Sequence, residues 1–135
     1  MTSRRGLLGV ALLLAGCGKP GGRQNLLPET VGSQWRRASL GGITTSGLQP
    51  PLTASTVKRG QSAQYDGPGK VDVMLYELSS SAAALDAVQR WRAEANSIFF
   101  YRDEFFVVVH YDAAADRQAL NAFVRDLSQH LAPSK

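Results

Sequence analysis

Asp66-Gly67-Pro68-Gly69 stands between two runs that alternate apolar and polar residues, Gln61–Tyr65 and Lys70–Leu78. A Gly/Pro tetrad between alternating runs reverses the chain tightly, so the pair is read as a β-hairpin. The same grammar recurs downstream. Ser97–Tyr101 and Phe105–Tyr111 flank Arg102-Asp103-Glu104 and form a second expected hairpin. Each hairpin is followed by a helical pattern. Ala84, Leu85, Val88, Trp91 and Ala95 make the apolar stripe of one helix, with N-cap hydroxyls in Ser79-Ser80-Ser81. Leu120, Phe123, Val124, Leu127 and Leu131 make the stripe of the other, with Asp112 as its candidate cap.

The order strand, strand, helix therefore occurs twice, and the two units align at an offset of 35 residues. Tyr76-Glu77 falls on Tyr111-Asp112, and Ala84–Val88 falls on Ala119–Phe123. Such an offset fits either a duplication or two similar amphipathic helices that each follow a strand. Hairpins and two one-sided helices predict an α+β fold, an antiparallel sheet carrying both helices on one face. Upstream, residues 38–54 are rich in Gly, Ser, Thr and Pro. They read as a loop, with one short strand near Trp35–Leu40. Pro28 argues against a central strand around Leu26–Val31.

The first residues follow a different logic. Met1–Arg5 carries two arginines, Gly6–Leu14 is apolar, and Ala15-Gly16-Cys17 closes the run. About ten apolar residues are too few to span a bilayer and match the core of a secretory leader. Leu14-Ala15-Gly16-Cys17 resembles the lipobox of bacterial lipoproteins. That resemblance implies cleavage before Cys17, acylation of Cys17, and residence in the cell envelope with membrane lipid as a partner. It also implies the outer membrane, facing the periplasm, because Gly18 is not the Asp that retains many lipoproteins in the inner membrane. The division expected is a signal peptide over 1–16, a flexible tether over 17–25, and one domain over 26–135. The tether, Cys17-Gly-Lys-Pro-Gly-Gly-Arg-Gln-Asn25, is Gly-rich and polar. The formal charge of +4 falls to +2 once Arg4 and Arg5 leave with the leader. Export and the lack of a basic stripe set nucleic acid aside as a partner.

Cys17 is the single cysteine, so no internal disulfide and no cysteine zinc site can form. No cofactor motif is present: there is no phosphate-binding Gly loop, no H-E-x-x-H and no G-x-S-x-G. Two sets of residues invite a functional reading. Phe99, Tyr101, Phe106 and His110 share one face of the second hairpin and form either a binding surface or core covered by residues 26–60. His110 and Asp112 are two apart, as a general base and its orienting acid would be on a strand; the alternative is a sheet-end His beside a capping Asp. Asp72, Glu77, Asp103 and Glu104 read as turn and surface acids.

From Leu26 onward the chain resembles small envelope lipoproteins of bacteria whose function is unknown. The matching positions are Leu27-Pro28-Glu29-Thr30-Val31, Trp35, Tyr76-Glu77 and Ala82–Ala87. The resemblance implies no activity. The leading expectation is a lipid-anchored, non-catalytic accessory or binding module that engages an envelope protein. The alternatives are a small envelope enzyme using His110 with Asp112, or a binder of an apolar ligand.

Overall fold

The computed structural model describes residues 26–132. The expected leader, Cys17 as the expected site of acylation, and the expected tether lie outside the described residues. The elements are β1 (Thr30–Val31), β2 (Trp35–Ile43), β3 (Val57–Gly67), β4 (Gly69–Leu78), α1 (Ser81–Arg90), β5 (Ser97–Arg102), β6 (Phe105–Tyr111) and α2 (Arg117–His130). The strands form one antiparallel sheet in the order β1-β2-β3-β4-β6-β5, so the fold is α+β.

Both hairpins form at their turn signals. Gly67 pairs with Gly69 around Pro68. Gly69 takes φ +132, a left-handed value that glycine reaches without strain. Arg102 pairs with Phe105 around Asp103, which sits at φ 56. Asp tolerates that region better than most residues. Ser80 caps α1, accepting from the Ala83 N–H at 3.1 Å.

The helices do not share a face, contrary to expectation. Five successive residues of β6, Phe105 to Val109, are all buried. A strand that is apolar on both sides needs cover on both sides. Phe105, Val107 and Val109 pack with Leu120, Phe123 and Leu127 of α2. Phe106 and Val108 pack with Ala84, Ala87 and Trp91 at α1. β4 and β5 run parallel with β6 between them, so α1 is the crossover that passes over one face. The 35-residue offset has no matching internal symmetry for the same reason. A two-fold that exchanged the antiparallel neighbours β4 and β6 would stand normal to the sheet and keep both helices on one face.

Three local expectations also move. β2 runs on through Gly41-Gly42 to Ile43, because the whole segment pairs with β3 from Gly60 to Asp66. α2 starts later than Asp112: Asp116 is the cap, accepting from the Ala119 N–H at 2.8 Å. Ala84, Ala87, Val88 and Trp91 carry the inward stripe of α1, which leaves Leu85 exposed and puts Ala95 beyond the helix end.

The α2 side holds the larger aromatic cluster. Phe123 meets the rings of Trp35 and Tyr65 edge-on, each at 5.3 Å. The Trp35 indole N–H donates to the Ala119 carbonyl at 3.3 Å. Leu26 and Leu27 are buried in this layer. Their N–H groups donate to Gln61 Oε1 at 2.8 and 3.3 Å, and the Tyr65 hydroxyl donates to the Pro28 carbonyl at 2.5 Å.

Candidate functional site

On the α1 side, the registers align side chains into rows across five strands. One row is Tyr101, Phe106, Tyr76, Gly60 and Ile43. It is the apolar end. Phe106 has no exposed surface and packs against Trp91, with ring centroids at 5.0 Å, and against Tyr76 at 6.2 Å. α1 and the segment carrying Leu48, Leu52 and Val57 cover it. The next row is Phe99, Val108, Met74, Ser62 and Gly41, and the one after it is Ser97, His110, Asp72, Gln64 and Ser39. That last row is polar in every strand, and none of its members is buried.

The same sheet face therefore changes from core to open polar surface within two rows. A groove of ≈ 340 Å³ lies on the open part, with Ser39, Ser62, Gln64, Asp72 and Met74 among its lining. Gln64 Nε2 donates to Asp72 Oδ1 at 3.1 Å, which orients both side chains. The groove offers hydroxyls, an amide and a carboxylate, with a thioether beside them. These groups suit a polar ligand that both donates and accepts hydrogen bonds.

The predicted binding-face residues divide between the two regimes. Phe106 is core, and Phe99 is half-buried at 6.5 Å from it. Tyr101 stands on the rim, 39% exposed. His110 lies in the polar row with Asp72 opposite it on β4. β6 ends at Tyr111, so the two-apart rule for a strand does not extend to Asp112. The Asp112 carboxylate instead accepts from the Ala114 N–H at 3.1 Å, closing its own turn. Among the described residues, no three His, Cys, Asp or Glu side chains gather as metal ligands.

One cluster escapes a reading of the sequence. At the far end of β4 the Glu77 and Glu104 carboxyls act on one another's ionisation. Glu77 also accepts from Arg59 Nε at 2.7 Å and lies 3.8 Å from Lys58 Nζ. Burial works against the Glu77 charge, but the bond to Arg59 and its positive charge outweigh it, and the Glu77 pKa falls below its ordinary value. Glu104 goes the other way. Burial, the bond to Glu77 and the Glu77 charge all raise it, with Lys58 opposing. The signal that would have linked the two acids is the neighbour relation of β4 and β6, which no local pattern carries.

No family model matches the chain, and no curated protein or solved structure is similar to it.

Proposed function

We propose that this chain is a lipid-anchored, non-catalytic binding module of the bacterial cell envelope. It is tethered to the outer membrane through acylated Cys17 and binds through the open polar half of the α1-side sheet face. The observation that carries the binding role is the break across that face. Phe106 and Tyr76 are sealed beneath α1, whereas two rows away Ser39, Gln64 and Asp72 line an open groove of ≈ 340 Å³, with His110 half-buried opposite Asp72 in the same row. The anchoring role rests on the sequence of features at the N-terminus, Arg4-Arg5, then the apolar run, then Leu14-Ala15-Gly16-Cys17. Among the described residues no helix is long and apolar enough to cross a membrane, so a lipid on Cys17 is the attachment this reading uses. The ligand is a polar segment of an envelope protein, held by hydrogen bonds from the groove.

Two variants test the two halves separately. Cys17→Ser leaves an unprocessed precursor, and normal maturation of that variant overturns the anchoring. Ser62→Trp fills the groove from a half-exposed position and abolishes the cellular role at unchanged protein abundance. If His110→Ala alone removed that role at normal abundance while Ser62→Trp left it intact, the groove would give way to a catalytic histidine.

A further inference from the structure

β5 is the last strand of the sheet, and among the described residues nothing pairs with its outer edge. Its sequence, Ser-Ile-Phe-Phe-Tyr-Arg, holds no Pro and no Lys, and its register with β6 has no bulge. Proteins ordinarily guard such an edge with one of those devices, or keep it very short. The opposite edge follows the rule, since β1 is two residues long. At 98–100 every side chain of β5 is apolar and only half-buried.

We propose that two copies of this chain join along β5, antiparallel and centred on Phe99, into one continuous sheet. The backbone supplies the register. Tyr111 N–H donates to the Asn96 carbonyl at 3.0 Å, which makes 96, 98, 100 and 102 the residues bonded to β6. The N–H and C=O groups of Ser97, Phe99 and Tyr101 therefore point outward. A two-fold through Phe99 sets Phe99 opposite its own copy and Ser97 opposite the second copy's Tyr101, so all three outward residues find partners. On the other face Ile98 meets the second copy's Phe100. The only charge in the strand, Arg102, falls opposite an Asn, and the two arginines end about 20 Å apart. The strand is thus complementary to itself in hydrogen bonding and in apolar pairing, and its like charges do not meet.

A second element fits the same axis. The two-fold stands normal to the sheet, so both α1 helices lie on one side of the joined sheet. Each packs over β5 and β6, which brings their axes to about 10 Å, the spacing of packed helices. At about 100° per residue, Ala83 and Arg90 occupy the flank of α1 that faces Leu48–Val57. Leu85 occupies the other flank, toward β5. Leu85 and Tyr101, each 39% exposed, are two of the three exposed large hydrophobic residues among the described residues, and both border this edge.

Sedimentation equilibrium on the full-length chain tests the proposal, with a dimer expected. Tyr101→Pro removes one outward N–H per copy while sparing the ladder to β6, a placement proline tolerates on an edge strand. It should weaken association by about tenfold or more. Leu85→Lys, on an exposed helix flank, should weaken it as well and does not depend on how proline is accommodated. In a Cys17→Ser background, Ser97→Cys and Tyr101→Cys should form a disulfide-linked pair when mixed and not when oxidised separately. A monomeric full-length chain overturns the proposal, including one that instead captures a foreign strand on β5. So does a dimer indifferent to both Tyr101→Pro and Leu85→Lys, or cross-linking of either cysteine variant alone.

Discussion

Glu104, in the turn between β5 and β6, accepts from the Leu78 N–H through its backbone carbonyl at 2.8 Å, and its carboxyl and that of Glu77 on β4 act on one another's ionisation. The two carboxyls carry opposite shifts, so they leave opposite marks on stability. Glu104 binds its proton more tightly folded than unfolded. Its contribution is complete below its ordinary value of 4.5 and is lost as pH rises through the raised folded value. Glu77 is held low. Its contribution is complete above 4.5 and is lost as pH falls through the depressed folded value. Glu104→Gln keeps a donor for Glu77 without titrating. Thermal midpoints measured against pH should show the wild type losing ground to Glu104→Gln as pH rises from about 4 toward neutrality. Parallel curves would refute the raised Glu104 pKa.

The α2 layer should be the most costly place to remove atoms. Leu120 and Phe123 are buried, and Phe123 touches two further aromatic rings. Leu120→Ala and Phe123→Ala should each cost about 2–5 kcal/mol in urea unfolding. His110→Ala, in the open row, should stay within about 0.5 kcal/mol of wild type.

Helix capping offers a sharper contrast. Asp116→Ala should cost about 0.5–2 kcal/mol, because it frees the Ala119 N–H at the start of α2. Asp112→Ala should cost less, since its carboxylate meets only an exposed turn N–H. A larger loss for Asp112→Ala would move the cap back to the position expected from sequence.

The glycines divide in the same testable way. At Gly67 a Cβ would collide with the Gln34 carbonyl and would lie 2.9 Å from the Trp35 ring. Gly67→Ala should therefore lower stability by more than about 1 kcal/mol. At Gly42 no atom lies within 4 Å, and its φ is not left-handed. Gly42→Ala should be neutral or stabilise by about 0.4–1 kcal/mol, read from the same denaturation curves.

The hairpins and helices were legible because their signals are local. Asp66–Gly69 and Arg102–Glu104 mark reversals, and Ser80 marks a helix start. What could not be read was which hairpin strands become neighbours. Phe105–Val109 is apolar on both sides, and the expectation of helices on a single face overlooked that such a strand needs two covers. The segment 38–54 is Gly-rich enough to pass for a loop, yet its first part, Ser39 to Ile43, pairs with β3 from Gln64 to Gly60. Local propensity yields there to a partner about twenty residues away. Asp112 and Asp116 flank three alanines, and the stripe alone did not decide between them. In the candidate site, His110 was visible, but its opposite residue is Asp72, thirty-eight positions earlier on β4. Ser39, Ser62 and Gln64 carry no motif at all; only the ladder brings them to one groove.

The seating of Leu26 and Leu27 has a mechanical consequence. Their backbone amides are held by Gln61, the Leu27 carbonyl accepts from Arg37 Nη1 at 2.7 Å, and the Pro28 carbonyl accepts from Tyr65. Any tension drawn along the chain ahead of Leu26 is therefore delivered into β2 and β3 beneath the aromatic layer, rather than to a frayed end. Before the two-residue β1 can peel away, both leucines must leave the core and these bonds must break together. The domain resists a pull at its N-terminal end through its unfolding rate, with the rupture point set at the foot of the sheet.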